Sequence, residues 1–596
     1  MSVLDRIERL RNVMEQQKID CYIIPTDDYH HSEYVGDYFK FREYITGFTG
    51  SAGTAVFTKD KAGLWTDGRY FIQAEAQLKG SGIMLYKSGE SDVPTIEEFL
   101  KSELKEGDVL GFDGRTVTYA QGKRYCHIAD ENGASLKYSL DFAQNIWKER
   151  PEMSMEPVFS LEDEYTGEKI GSKLERIRKI MKENGCNAHV LSSLDDIAWL
   201  LNIRGNDIAY CPLVLSYAIV YNNSVELFAD IRKFSDDIIN LLAENQVKIY
   251  PYEDIYRKVS EMTSEDKLLL DSSIMNYSLY QSISKETVIV DKQNPEILMK
   301  SVKNETQAEN LRKAHLKDAV AHTKFMYWLK KNIGRVEITE LSASARLEGL
   351  RAEQEHFLGP SFGPISAYGE HGAIVHYSAD EKSSVPLKEG KLFMTDTGGH
   401  YLEGSTDITR TVALGEVGNI EKEHFTLVAR AMLRLANTVF LYGCSGANLD
   451  CIAREVFWKE GLNFNHGTGH GVGYLLNIHE GPINFRWKEG ERPAPALEEN
   501  MVITDEPGIY IEGSHGIRLE NELLVRKTVK NEYGQFMNFE ILTYVPIDLD
   551  AILPEKMSTE EKEMLNHYHK QVYEKVSPYL SEEERIWLKE YTRAVK

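Results

Sequence analysis

The sequence predicts an α/β (α+β) protein in three parts, two related α/β domains followed by a strand-rich, glycine-rich one. Three observations predict it. A helix-then-strand pattern occurs twice in the first half, glycines and short β-branched runs concentrate between about 356 and 545, and two helical patterns interrupt that stretch near 420–441 and 449–460. A chain of 596 residues exceeds what one hydrophobic core organises.

The repeat comes first along the chain. Residues 6–28 read RIERLRNVMEQQKIDCYIIPTDD and residues 173–195 read KLERIRKIMKENGCNAHVLSSLD. Both set apolar residues at helical spacing, Ile7, Leu10, Val13 and Met14 in one and Leu174, Ile177, Ile180 and Met181 in the other. Each continues into an apolar run, CYIIP or AHVLS, that reads as a buried strand. Later, TDGRYF (66–71) and FADIRKF (228–234) align Asp67, Arg69 and Phe71 with Asp230, Arg232 and Phe234. The two domains are placed at 1–150 and 151–303. The third, 304–596, opens on a long amphipathic helix pattern over 304–332. GAIVHY (372–377), KLFMTDTG (391–398) and MVITDEPGIYI (501–511) then read as strands joined by turns. Ser558–Glu561 and Ser581–Glu584 have capping-box spacing before charged helices in the tail.

Hydrophobic content of 42% and charged content of 27% fit a soluble globular protein. The net charge of −24 argues against nucleic acid or an anionic membrane as partner, because phosphate binding needs a basic face. The N-terminus, MSVLDRIERLRNVMEQQ, has no apolar signal region, and no apolar run is long enough to span a bilayer. Six cysteines, none in a CxxC pair, read as reduced thiols of a cytoplasmic protein.

Chemistry concentrates in the third part. MTDTGGHYLEGSTDITRT (394–411) carries Asp396 and Asp407. A hairpin centred between Tyr401 and Leu402 sets the two acids directly opposite each other, where bare carboxylates repel and one pKa rises unless a cation sits between them. NHGTGHGVG (465–473) spaces His466 and His470 at i, i+4, but its glycines argue against a helix and for close backbone approach to a ligand or another strand. TDEPGIYIEGSHGIRLENEL (504–523) offers Glu506 ahead of a Pro-Gly turn, and its period-2 alternation puts Arg518, Glu520 and Glu522 on one face. Each of these alone is more often a solvated acid or a structural histidine. Together they give one glycine-rich region two aspartates, a histidine and two glutamates, a thiolate-free set that suits hard or borderline divalent ions such as Mn²⁺. Five ligands, several bridging, fit two metals about 3.5–4 Å apart that act on an amide or ester.

This order, Asp, then Asp, then His in HGTGHGVG, Glu in EPG and Glu in GIRLEN, resembles the pita-bread metallopeptidase family, which includes methionine aminopeptidase, prolidase, aminopeptidase P and the metal-free creatinase. The pattern covers roughly 310–545. Two creatinase-N-type α/β domains ahead of a C-terminal pita-bread catalytic domain, with FTGSAGTAVF (48–57) and LWTDGRYF (64–71) in the first, are similar to the long, three-domain aminopeptidase P branch. The resemblance implies metal ligands Asp396, Asp407, His470, Glu506 and Glu520, with Asp407 and Glu520 bridging two ions, expected to be Mn²⁺. It implies a bridging hydroxide, with Glu506 accepting its proton, and His376 and His479 acting in catalysis and substrate binding. It further implies that His466 lines a proline pocket, that Arg69 reaches toward the substrate, and that Arg518 supports a carboxylate from outside the ligand set. The implied activity is removal of the first residue from peptides with proline second, by a homodimer. Two alternatives stay open, a prolidase-like dipeptidase and a non-catalytic pita-bread scaffold. The tail after about 550 matches least and receives no role.

Overall fold

The computed structural model describes residues 1–488 and 493–596. The chain forms two compact units, one of 1–160 with 168–296 and one of 161–167 with 297–596.

The first unit holds two six-stranded sheets built to one plan. In the first sheet, the central strand Cys21–Pro25 runs antiparallel to Thr54–Thr58 and parallel to Val109–Phe112. In the second, Ala188–Leu191 runs antiparallel to Tyr217–Tyr221 and parallel to Lys267–Leu270. The helices that precede these central strands, Val3–Gln17 and Ile170–Glu183, bury the apolar faces read from the repeat, Ile7, Leu10 and Met14 in one and Leu174, Ile177 and Met181 in the other. The repeat extends to a local device. Asp67 Oδ1 accepts from the amide of Arg69 (3.1 Å) and from its Nε (2.8 Å), and Asp230 Oδ1 accepts from the amide and Nε of Arg232, both at 3.0 Å.

In the second unit the long helix Glu305–Asn332 starts at an Asn304–Gln307 capping box, worth about 1 kcal/mol to such a start. Its buried face is mostly apolar, with Leu311, Ala314, Phe325, Met326 and Leu329, yet it also buries His315, Asp318 and His322. The strands Ile365–Tyr368, Lys391–Thr397 and Ile408–Leu414 form one sheet, and Phe440–Leu441, Gly534–Ile541, Asn521–Asn531 and Val502–Asp505 form another. Helices Asn419–Ala436 and Gly446–Trp458 contribute to the same apolar core as these sheets. The tail helices Thr559–Val576 and Glu582–Tyr591 both begin at the serine–glutamate capping boxes read from sequence.

Two expectations are corrected. GAIVHY is not a strand. Residues 369–373 form a short 3₁₀ helix and 374–377 a turn. The reason is packing. A side chain at Gly516 would place its Cβ 1.6 Å from Gly372 O, so this segment lies with its backbone on the strand His515–Arg518 instead of pairing along an edge. The hairpin is also not centred between Tyr401 and Leu402. Tyr401 pairs with Gly404, so Leu402–Glu403 is the connection, and Asp396 faces Thr409 in place of Asp407. Moving a two-residue turn by one position shifts every cross-strand partner by two. With partners two residues further on, Asp407 becomes the diagonal neighbour of Asp396 on the same face, within reach of its side chain.

Candidate metal centre

The hairpin supplies two donors. Asp396 lies inside the strand Lys391–Thr397, and Asp407 stands just before Ile408–Leu414. Glu520 sits between the strands His515–Arg518 and Asn521–Asn531, where its amide donates to Thr409 O (3.1 Å) and its Oε2 accepts from the Thr409 hydroxyl (2.7 Å). Carboxylate oxygens of Asp396, Asp407 and Glu520 all fall within 4.8 Å of one another, and all three residues are buried. A second group with the same reach is His470, Glu506 and Glu520, and a third is Asp407, His470 and His479.

Local structure explains the aim of the histidine. His470 ends the short strand Gly469–His470, and its amide donates to Thr504 Oγ1 (3.0 Å). A Cβ at Gly469 would lie 1.9 Å from Thr504 O, so only glycine lets the two backbones meet. His470 Nδ1 lies 3.0 Å from Gly471 O and donates to it, which makes Nε2 the lone-pair nitrogen. That Nε2 faces Asp407 Oδ2 at 3.5 Å and Glu506 Oε1 at 3.8 Å.

The electrostatics are those of acids held together against repulsion. Burial, then the charges of Asp396, Glu506 and Glu522, push the Asp407 carboxyl well above its ordinary pKa. Burial and the charges of Asp407, Glu506 and Asp396 do the same to Glu520. Glu506 is raised by burial, an effect opposed by His470 and Arg518. Removing ions from water costs several kcal/mol each unless a counter-charge offsets it. Arg518 supplies one, since its Nε donates to Asp396 Oδ2 (3.1 Å). The other oxygen, Asp396 Oδ1, is buried without a hydrogen-bond partner. An oxygen-rich, thiolate-free set with an orphaned carboxylate oxygen fits divalent cations.

The remaining candidates divide. His479 is exposed and packs its ring edge-on against His470, with centroids 4.3 Å apart. His376 lies in the 374–377 turn, whose Val375 O accepts from Arg518 Nη2 (3.3 Å), and it is near enough to His466 to lower that residue's pKa. His466 Nδ1 donates to Gly467 O (2.7 Å), so its Nε2 accepts from the Tyr510 hydroxyl (2.8 Å). Burial, then Arg518, brings its pKa down to about 3. Arg69 belongs to the first unit, where it is half-exposed and paired with Asp67.

Two residues with direct ties to this site were not singled out from sequence. Tyr510 receives Arg518 Nη1 (2.6 Å) and passes its own proton to His466, linking that histidine to the arginine on Asp396. The signal was present, because Tyr510 alternates with Ile509 and Ile511 in GIYI just after Glu506. Arg410, fully buried, donates to Glu520 O (2.6 Å) and to the Tyr568 hydroxyl (2.7 Å). Tyr568 lies on a tail helix, so the segment left without a role braces a ligand's backbone. That contact spans 158 residues, and no local pattern announces it.

Comparison with known proteins identifies the family. Residues 6–137 and 149–307 each match a Creatinase/Prolidase N-terminal domain, 309–527 match metallopeptidase family M24, and 535–595 match the C-terminal region of peptidase M24. The chain is 37% identical to a probable Xaa-Pro aminopeptidase P of Sordaria macrospora over 97% of each chain. The chain belongs to metallopeptidase family M24. This M24 chain is also 36% identical to Xaa-Pro aminopeptidase 1 of Dictyostelium discoideum, over 97% of itself and 94% of that protein. A crystal structure of an X-prolyl aminopeptidase from Caenorhabditis elegans, described as a cytosolic enzyme with a di-nuclear active site, superposes with a TM-score of 0.94 at 33% identity over 100% of both chains. The family places the catalytic half of this M24 enzyme in the pita-bread fold.

Proposed function

We propose that this metallopeptidase removes the N-terminal residue from peptides that carry proline in the second position. The observation that carries the reading is the convergence of Asp396, Asp407, His470, Glu506 and Glu520 into overlapping donor groups, in a chain similar over its whole length to Xaa-Pro aminopeptidases. Asp396, Asp407 and Glu520 would hold one divalent ion, and Asp407, His470, Glu506 and Glu520 the other. When bound, the ions would supply Lewis-acid charge and would make a water at the site more acidic. Mn²⁺ is our choice of ion on the chemistry of the donors.

The chain's own residues do the rest. Glu506 takes the proton of the attacking water, and a proton returns from Glu506 or through His376 to the proline nitrogen, which carries no N–H of its own. One of His479 and His376 hydrogen-bonds the scissile carbonyl as negative charge develops on it. His466, neutral and fixed in one tautomer by Gly467 and Tyr510, lines the pocket for the proline ring. Arg518 holds Asp396 in its ligand rotamer. Arg69 contributes to substrate binding. We extend the reading to a three-part division at 1–150, 151–303 and 304–596, to a homodimer on the strength of the family resemblance, and to a cytoplasmic setting. The last rests on six free thiols and on the absence, among the described residues, of a helix long and apolar enough to cross a membrane.

The test is to strip metal, restore Mn²⁺, and follow release of the first residue from Arg-Pro-Pro and Arg-Ala-Ala. Metal-dependent cleavage of the proline peptide alone is the expected result. Cleavage of both removes the proline pocket from the account, and no cleavage of either with no ion bound leaves a binding scaffold.

A further inference from the structure

The helix Glu305–Asn332 turns a polar edge inward where an apolar one would pack at less cost. His315, Asp318 and His322 sit at i, i+3 and i+7, on one face, and all three are fully buried. Two of them lead to the aspartate hairpin. Asp318 accepts from the hydroxyl of Thr406, the residue before Asp407, and from Arg351 Nε (2.6 Å). Arg351 Nη2 in turn donates to the carbonyl of Thr397, the residue after Asp396 (3.3 Å). His315 Nε2 lies 3.1 Å from Glu522 Oε2, with both side chains completely buried, a close contact whose geometry is not that of a hydrogen bond. The other oxygen of Glu522 accepts the backbone amide of Asp407 at 2.6 Å.

Glu522 is an odd presence there. It adds a fifth carboxylate to four that already repel one another, and it is not among the converging donors. Its backbone is held, since its amide donates to Thr543 Oγ1 (2.9 Å) and it pairs with Thr504 in a strand that has neighbours on both sides from Leu523. A fixed acceptor on a held backbone, taking the N–H of a residue that stands outside the ladder, sets where that residue's side chain starts.

We propose that Glu522, packed against His315, is a positioning residue for Asp407, holding the shared ligand in place through its backbone amide. The inference rests on the reading of Asp407 as a metal ligand. Residues that orient ligands in this way change metal affinity or activity by about 10–100-fold when lost. Glu522→Gln keeps an oxygen for the Asp407 amide, whereas Glu522→Ala removes it.

The experiment is a calorimetric Mn²⁺ titration of the metal-stripped full chain, unmodified and as Glu522→Gln and Glu522→Ala, with a melting curve for each. Glu522→Ala should raise the Mn²⁺ Kd about 10- to 100-fold, and Glu522→Gln should raise it less. If Glu522→Ala binds the unmodified number of ions with unmodified Kd while only its melting temperature falls, the residue is structural and the inference fails. Should Glu522→Ala not fold, His315→Ala carries the same test. It weakens Mn²⁺ binding if His315 acts through Glu522 and leaves the Kd unchanged if it only packs. An unmodified chain that binds no Mn²⁺ would overturn the aminopeptidase reading and this inference together, which separates that failure from the failure of Glu522 alone.

Discussion

In the first unit the buried carboxylate of Asp207 accepts from the ammonium of Lys233 and from the amide of Leu215 (2.7 Å). In the second, Asp396, Asp407 and Glu520 crowd their oxygens within 4.8 Å of one another, and the Arg518 guanidinium reaches a single oxygen of Asp396. Both arrangements bury acid. The first offsets the desolvation with a protein cation, which meets the Leu215 amide at one oxygen, Asp207 Oδ2. The second has its acids facing inward on each other and, on the proposed reading, takes its cation from outside. The difference teaches how to separate structural acids from functional ones, since burial alone does not distinguish them and the chemistry of the partner does. Asp318 with Arg351 and Asp450 with Arg454 fall on the structural side of the same line, at 2.6 and 2.7 Å.

Substitutions on the two sides of that line should fail differently. The largest effect is expected at the shared ligand. Asp407→Asn should lower kcat/KM by about 10³-fold or more and reduce the number of ions bound, with the melting temperature of the stripped protein unchanged or raised because a repelling charge is gone. Next is Lys233→Met, which leaves Asp207 buried without its cation. It should destabilise the first unit by about 3–5 kcal/mol in denaturant unfolding, with metal binding by folded protein unchanged. A loss of metal binding in Lys233→Met would erase the distinction. Arg518 sits on the line itself. Arg518→Lys keeps the charge but loses the fork that reaches Asp396 and Tyr510, and should cost about 10–100-fold in Mn²⁺ affinity or activity. The smallest effect concerns pH. The His466 pKa is brought down to about 3, so the ring is already neutral throughout the working range. His466→Asn should change the preference for proline over alanine while leaving the shape of the pH–rate profile between about pH 5 and 9 as it was. Loss of an acid limb in that variant would show that the ring titrates after all.

Much of this was legible in the sequence for identifiable reasons. The two sheets of the first unit follow from a repeated helix-strand periodicity, and Asp67–Arg69 and Asp230–Arg232 mark the same turn twice because the contact is two residues long. Alternation in GIRLENEL aimed Arg518, Glu520 and Glu522 together, and the structure turns all three toward the 396–409 hairpin. The register of that hairpin was misread because two turn centres one residue apart serve the alternation equally well, and Leu402–Glu403 prevails only once Tyr401 meets Gly404. GAIVHY has strand composition, but its neighbour Gly516 draws it into a turn. Arg410 with Tyr568, and His315 with Glu522, join residues far apart in the chain, so no window of sequence contains both partners.

The most direct measurement is a crystal structure of the full chain grown with Mn²⁺, with anomalous differences recorded at a wavelength where manganese scatters. The account predicts two peaks, one bounded by Asp396, Asp407 and Glu520 and the other by Asp407, His470, Glu506 and Glu520. A map without peaks there, or with ions only at other acids, would contradict it.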